Sequence, residues 1–163
     1  MTKNKERKKM KQLNKLQTIV FLAGSVLMVA GVVLNMIGTL NDLPALRSSG
    51  AVVFAAGAVA FATMQLQQTY SGRNFTIRRL RRIMSVGDVF FMLSAVLMLE
   101  DVFHFILPLF LPYGIDGYNN YVTYVQNNWV VLLLAAAMIE VYTTHRISSE
   151  LKKEQDASGQ RGA

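Results

Sequence analysis

The sequence predicts an all-α polytopic membrane protein, an antiparallel four-transmembrane-helix bundle, on three observations. The 163 residues are 52% hydrophobic and only 17% charged, with mean hydropathy +0.30, whereas soluble domains carry about 25% charged residues. The charges are segregated, leaving four long apolar stretches. Basic residues fall in alternate connections, sixteen of the seventeen Lys and Arg on one side of a four-span threading. A net charge of +7 on so apolar a chain does not suit an ordinary soluble enzyme.

A bilayer core about 30 Å thick needs roughly 20 helical residues at about 1.5 Å each, largely free of charge. Between Lys15 and Asp42 no charge occurs, and the first span is placed at 18–40. Arg47 to Arg73 is the second uncharged interval. Its apolar part runs from Ala51 to Met64 before Gln65, Gln67 and Gln68, and the span is placed at 49–70. The third, 83–111, is apolar but interrupted by Asp88, Glu100, Asp101 and His104, with Pro108 and Pro112 to end or kink it. Asp116 to Glu140 frames the fourth, placed at 127–146, with Glu140 in its last part. This divides the chain into a basic tail at 1–17, a transmembrane domain at 18–146 and a polar tail at 147–163 that frays after about Glu154. The first span has the basic prelude of a secretory signal but is too long for one and lacks a small-residue cleavage site before Asn41-Asp42-Leu43-Pro44. An uncleaved helix is expected.

Short loops rich in Lys and Arg stay in the cytoplasm. Seven basic residues lie in the first tail, five between spans two and three, and four in the last tail; Arg47 alone falls on the other side. Both termini are therefore expected in the cytoplasm. The outer connection holds Tyr113, Tyr118, Tyr121, Tyr124 and Trp129, aromatics that favour the headgroup level. Asn74-Phe75-Thr76 fits a glycosylation acceptor, but it lies in a basic loop assigned to the cytoplasm and is discounted.

Arg78, Arg79, Arg81 and Arg82 alternate with Ile77, Leu80 and Ile83, an amphipathic stretch suited to lie on the membrane against anionic lipid. Nucleic acid is not expected as a partner, because no interleaved aromatics or reading element accompany the basic runs. Helices in lipid pack through small residues. Gly24, Gly31 and Gly38 recur every seventh residue, as do Gly50 and Gly57, giving stripes for packing within the bundle or against another copy or partner subunit. Asn35 lies about 40° from Gly31 around the helix and faces the same side. Its depth matches that of Glu100, which makes the two a trial pair.

Charge inside a span marks a pathway, a partner or the end of the span. Glu100 and Asp101 point about 100° apart with His104 between them, so one imidazole is within range of either acid. If the third span starts at Ile83 the acids lie at its outer end; if at Val89 they fall near mid-membrane. Interfacial or structural pairing, proton or ion handling, and contact with a partner subunit all stay open. Glu140 and Asp88 sit in the cytoplasmic half, with Arg146 and Arg82 available to neutralise them. Glu100, Asp101, His104 and Glu140 form the candidate proton or ion site.

The chain contains no Cys and only two His, His104 and His145, and it lacks P-loop, dinucleotide, nucleophile-elbow and zinc-protease motifs. No cofactor, metal or catalytic residue is expected. The stretch Arg81-Arg82-Ile83-Met84-Ser85-Val86-Gly87-Asp88, with Trp129-Val130-Val131-Leu132 leading to Ile139-Glu140-Val141-Tyr142-Thr143-Thr144-His145-Arg146, resembles uncharacterised small four-helix bacterial inner-membrane proteins. The resemblance implies a bacterial inner-membrane location and no activity. The expected function is a non-enzymatic membrane scaffold or accessory subunit. The alternative is a small proton- or ion-coupled carrier, with lipid-headgroup chemistry at the outer aromatic face as a third reading.

Overall fold

The computed structural model describes residues 14–68 and 74–160, the side chains only as far as 153. The basic residues Lys3 to Lys11, Arg73 and Arg161 counted above lie outside the described residues. Six helices follow in order: α1 (Lys15–Leu40), α2 (Pro44–Gln67), α3 (Phe75–Phe103), the short α4 (Leu107–Phe110), α5 (Gly114–Tyr124) and α6 (Trp129–Gln160), with a 3₁₀ turn at Leu111–Tyr113 after α4. Among the described residues there is no strand. Four segments are long and apolar enough to cross a membrane: α1, α2, α3 and the run Leu107–Lys153, which contains the apolar start of α6.

α1 opens on a capping box, in which the Asn14 side chain accepts from the backbone and Gln17 Oε1 accepts from Asn14 N at 2.9 Å. It ends in a tight reversal. Asp42 takes the left-handed conformation (φ 53°), and Leu43 N donates to Gly38 O at 2.8 Å across the last turn. Pro44 then starts α2, where its fixed φ suits a first helical residue and no N–H is needed.

The glycine stripe expected of spans one and two packs these helices against each other. A Cβ on Gly24 would stand 2.9 Å from Phe61 N, and one on Gly57 2.6 Å from Met28 N. A Cβ on Gly31 would collide with the Phe54 backbone, one on Gly50 with that of Asn35. The register runs in opposite senses along the two helices, 24 opposite 57–61 and 38 opposite 47. The stripe is thereby consumed within the chain.

α2 packs in turn on α3, and α3 on α6, giving the order α1, α2, α3, α6 with no backbone contact between the first and the last among the described residues. One apolar core runs through the row, from Met28 of α1 through Phe54 and Ala58 of α2 and Phe91 and Met98 of α3 to Trp129 and Ala136 of α6. Phe61 stacks on Phe21 (centroids 4.7 Å apart) and meets Phe91 edge-on (5.7 Å).

α3 departs from the expected third span at both ends. Phe75 to Met84 does not form a separate surface segment but makes the opening turns of α3, because Ile77 and Leu80 are buried with Ile147 of α6 in a second apolar cluster. At the other end the helix stops at Phe103 instead of continuing to 111, since His104 turns left-handed (φ 52°) ahead of Pro108. α6 remains helical to Gln160, beyond the expected fraying near Glu154. Glu150 lies 3.6 Å from Arg146 and 3.0 Å from Lys153, which supports its exposed turns.

Candidate functional site

The acidic residues that the sequence grouped into one site occupy two places. Glu100, Asp101 and His104 gather at the end of α3 with Arg47 and Tyr121. Glu140 lies toward the other end of the row, near Asp88, Gln65 and Arg81.

At the first place the carboxylates are engaged. Arg47 donates through Nη2 to Asp101 Oδ2 at 2.5 Å and to Asp101 O at 3.0 Å. Its own carbonyl accepts from Asn35 Nδ2 at 3.1 Å. Asn35 therefore bonds the neighbouring helix and not Glu100, its trial partner from depth alone. Glu100, fully buried, reaches forward past the break: Ile106 N donates to Oε2 (2.6 Å) and Leu107 N to Oε1 (3.1 Å). These are N–H groups at the start of α4, where Pro108 supplies none.

Tyr121 Oη donates to Glu100 Oε1 at 3.0 Å, and His104 Nδ1 lies 3.2 Å from the same oxygen of Tyr121. The His104 imidazole thus hydrogen-bonds neither carboxylate directly. A phenol has one proton; with that proton donated in the hydrogen bond to Glu100, the second bond takes its hydrogen from Nδ1. Tyr121, expected at the headgroup level, is buried to 2%. This cluster ties the end of α3 to the segments that follow the break.

A hollow of about 150 Å³ lies beside this cluster, lined by Asn35, Thr39, Asp101, Asn127 and Trp129 among others. Asp101 Oδ1 and Trp129 Nε1 are buried there without a partner among the described residues. Both suit an internal water, which a hollow of this size and polarity accommodates.

At the second place the balance differs. Gln65, 3% exposed, donates through Nε2 to Glu140 Oε1 at 2.6 Å, and Gly87 gives Glu140 room, since a Cβ there would sit 3.3 Å from Oε1. Arg146, expected to neutralise Glu140, lies against Glu150 instead. Arg81 Nη2 donates to Gln68 Oε1 at 3.3 Å. Asp88 is 1% exposed, and neither of its carboxylate oxygens has a hydrogen-bond partner among the described residues. It borders a cleft of about 630 Å³ whose mouth carries Arg78, Arg79 and Arg82. No group of three or more metal-ligating side chains occurs among the described residues.

Sequence reasoning noted Asp88, Gln65 and Arg47 but assigned none of them to a site. A glutamine closing an apolar run and a lone arginine among connections otherwise without basic residues were the available signals. Compared with family models, with curated proteins and with solved structures, the chain matches none of them.

Proposed function

We propose that this chain is a multi-pass protein of the cell membrane, an antiparallel four-helix arrangement with both ends in the cytoplasm, acting as a non-enzymatic scaffold or accessory subunit. The observation that carries this reading is how the polar and apolar groups are divided. Arg47–Asp101, Glu100 with Tyr121, and Gln65–Glu140 join helices of the same chain. The outward face of α1 remains apolar and exposed at Ile19, Leu22, Val26, Val29, Val33 and Met36, and that of α6 at Val131, Leu134, Met138 and Val141. Contiguous apolar surface on this scale suits lipid or a membrane-embedded partner. The basic side of the threading then faces the cytoplasm.

Two measurements test the reading. After mild-detergent purification with prior cross-linking in the membrane, the expected product is a stable homo-oligomer or a complex with a second membrane subunit; a solitary monomer overturns the scaffold. The carrier reading retains one supporting observation, the unpartnered Asp88 beside Glu140. In liposomes under an imposed pH gradient, the scaffold reading expects flux no faster than through empty vesicles, and the same flux in the Glu100→Gln/Asp101→Asn and Asp88→Asn/Glu140→Gln variants. Faster flux that is abolished in either variant establishes a carrier.

A further inference from the structure

The cleft between the cytoplasmic ends of α2 and α3 presents two signs of charge at two depths. Arg78, Arg79 and Arg82 at its mouth are exposed and make no hydrogen bond or ion pair among the described residues. At its floor Asp88 is buried with both carboxylate oxygens unanswered. Of its neighbours, Glu140 accepts from Gln65, and Arg81 donates through Nη2 to Gln68 and bonds neither oxygen of Asp88, its own Nε being buried without a partner among the described residues. Arg81 and Glu140 act on Asp88 with opposite signs, so their fields partly cancel there. Leu66, Phe75 and Met84 form an apolar part of the wall, and Leu66 and Phe75 are largely exposed.

A simple anion satisfies the arginines and leaves a bare carboxylate beneath it, which is costly in a desolvated place. A simple cation satisfies Asp88 but must pass three guanidinium groups. A group with a phosphate and a primary ammonium a few bonds apart answers both, and an apolar wall beside it fits acyl chains. We propose that this cleft binds a phospholipid with an amine-bearing headgroup of the ethanolamine type. Its phosphate rests on Arg78, Arg79 and Arg82, its ammonium donates to Asp88, and its chains lie against Leu66, Phe75 and Met84. The volume of about 630 Å³ is in the usual range for a small-ligand site. Arginine forks suit phosphate oxygens, and a charge-assisted bond to Asp88 supplies the selection between headgroups.

The inference rests on the membrane reading, and its test separates the two. Protein purified from washed membranes is incorporated into nanodiscs with equal amounts of phosphatidylethanolamine, phosphatidylglycerol and phosphatidylcholine of matched chains, and retained lipid is counted by native mass spectrometry. The wild type should retain phosphatidylethanolamine about tenfold over phosphatidylglycerol, the scale of one hydrogen bond to a charged group. It should also prefer it to phosphatidylcholine, whose methylated ammonium has no N–H to donate. Asp88→Asn should bring the three lipids to parity, and R78Q/R79Q/R82Q should lose all of them. Equal retention by the wild type overturns the proposal, as does a preference that survives Asp88→Asn. If Asp88→Asn does not fold, the phosphatidylcholine comparison in the wild type decides alone. Free phosphorylethanolamine should displace bound lipid only in large excess; displacement at equal concentration overturns the lipid as the source of the headgroup. Recovery of the chain in a salt-washed aqueous extract defeats the membrane reading itself, whereas a flat lipid ratio from membrane-extracted protein defeats this site alone.

Discussion

Arg47 and Asp101 are 54 positions apart and meet at 2.5 Å, with side-chain exposures of 32% and 4%. Breaking a buried pair by removing one partner leaves the other charge uncompensated. Because Arg47 is about one-third exposed, Arg47→Gln should cost about 3 kcal/mol, the lower end of the range for buried pairs. Thermal unfolding in detergent should show Arg47→Gln and Asp101→Asn each destabilised, and the double variant well short of their sum. Tyr121→Phe should lower stability by about 1–3 kcal/mol in the same measurement, through the lost donor to Glu100. Neither partnership was legible in the sequence. The basic census made Arg47 conspicuous, but nothing local pointed to α3, and the aromatic run put Tyr121 at the headgroups because composition carries no information about which tyrosine turns inward.

At the scale of elements, the glycine stripes were fully legible, since a seven-residue repeat holds one face of a helix without reference to any partner. Their mate was not. The structure pairs the two stripes with each other, so Gly31→Val should drive Cβ into the Phe54 backbone and abolish stable folding, beyond the 1–3 kcal/mol usual for overpacking. Loss of the unfolding transition in detergent and rapid turnover in cells are the expected signs. Gly114, whose Cβ would meet nothing within 4 Å, is a contrast in space but not in backbone, because its φ of 65° is strained for other residues. The break after Phe103 was half legible. Pro108 announced it, yet the exit falls at His104 because Glu100 turns to cap the N–H groups of Ile106 and Leu107. The start of α3 was not, since Arg78 to Arg82 on an amphipathic stretch serves a surface segment and a continuous helix equally. Burial of Ile77 and Leu80 against Ile147 decides between them.

For the whole molecule, hydropathy and charge spacing gave the number of long apolar helices. The order α1, α2, α3, α6 lay beyond such reasoning, because it depends on which face each helix turns to its neighbour. Reporter fusions should place the amino and carboxyl ends in one compartment and the α1–α2 connection in the other. Opposite placement of the two ends would refute the threading.

In the row of helices α2, α3 and α6 each lie against the long apolar helix just before them in the chain, and none of them must wait for one made later. Assembly can thus proceed in the order of synthesis, each newcomer docking on a finished surface without threading between earlier arrivals. The α1–α2 hairpin, already closed by its interlocked glycines, is the first product of that order and the foundation on which the remainder is laid.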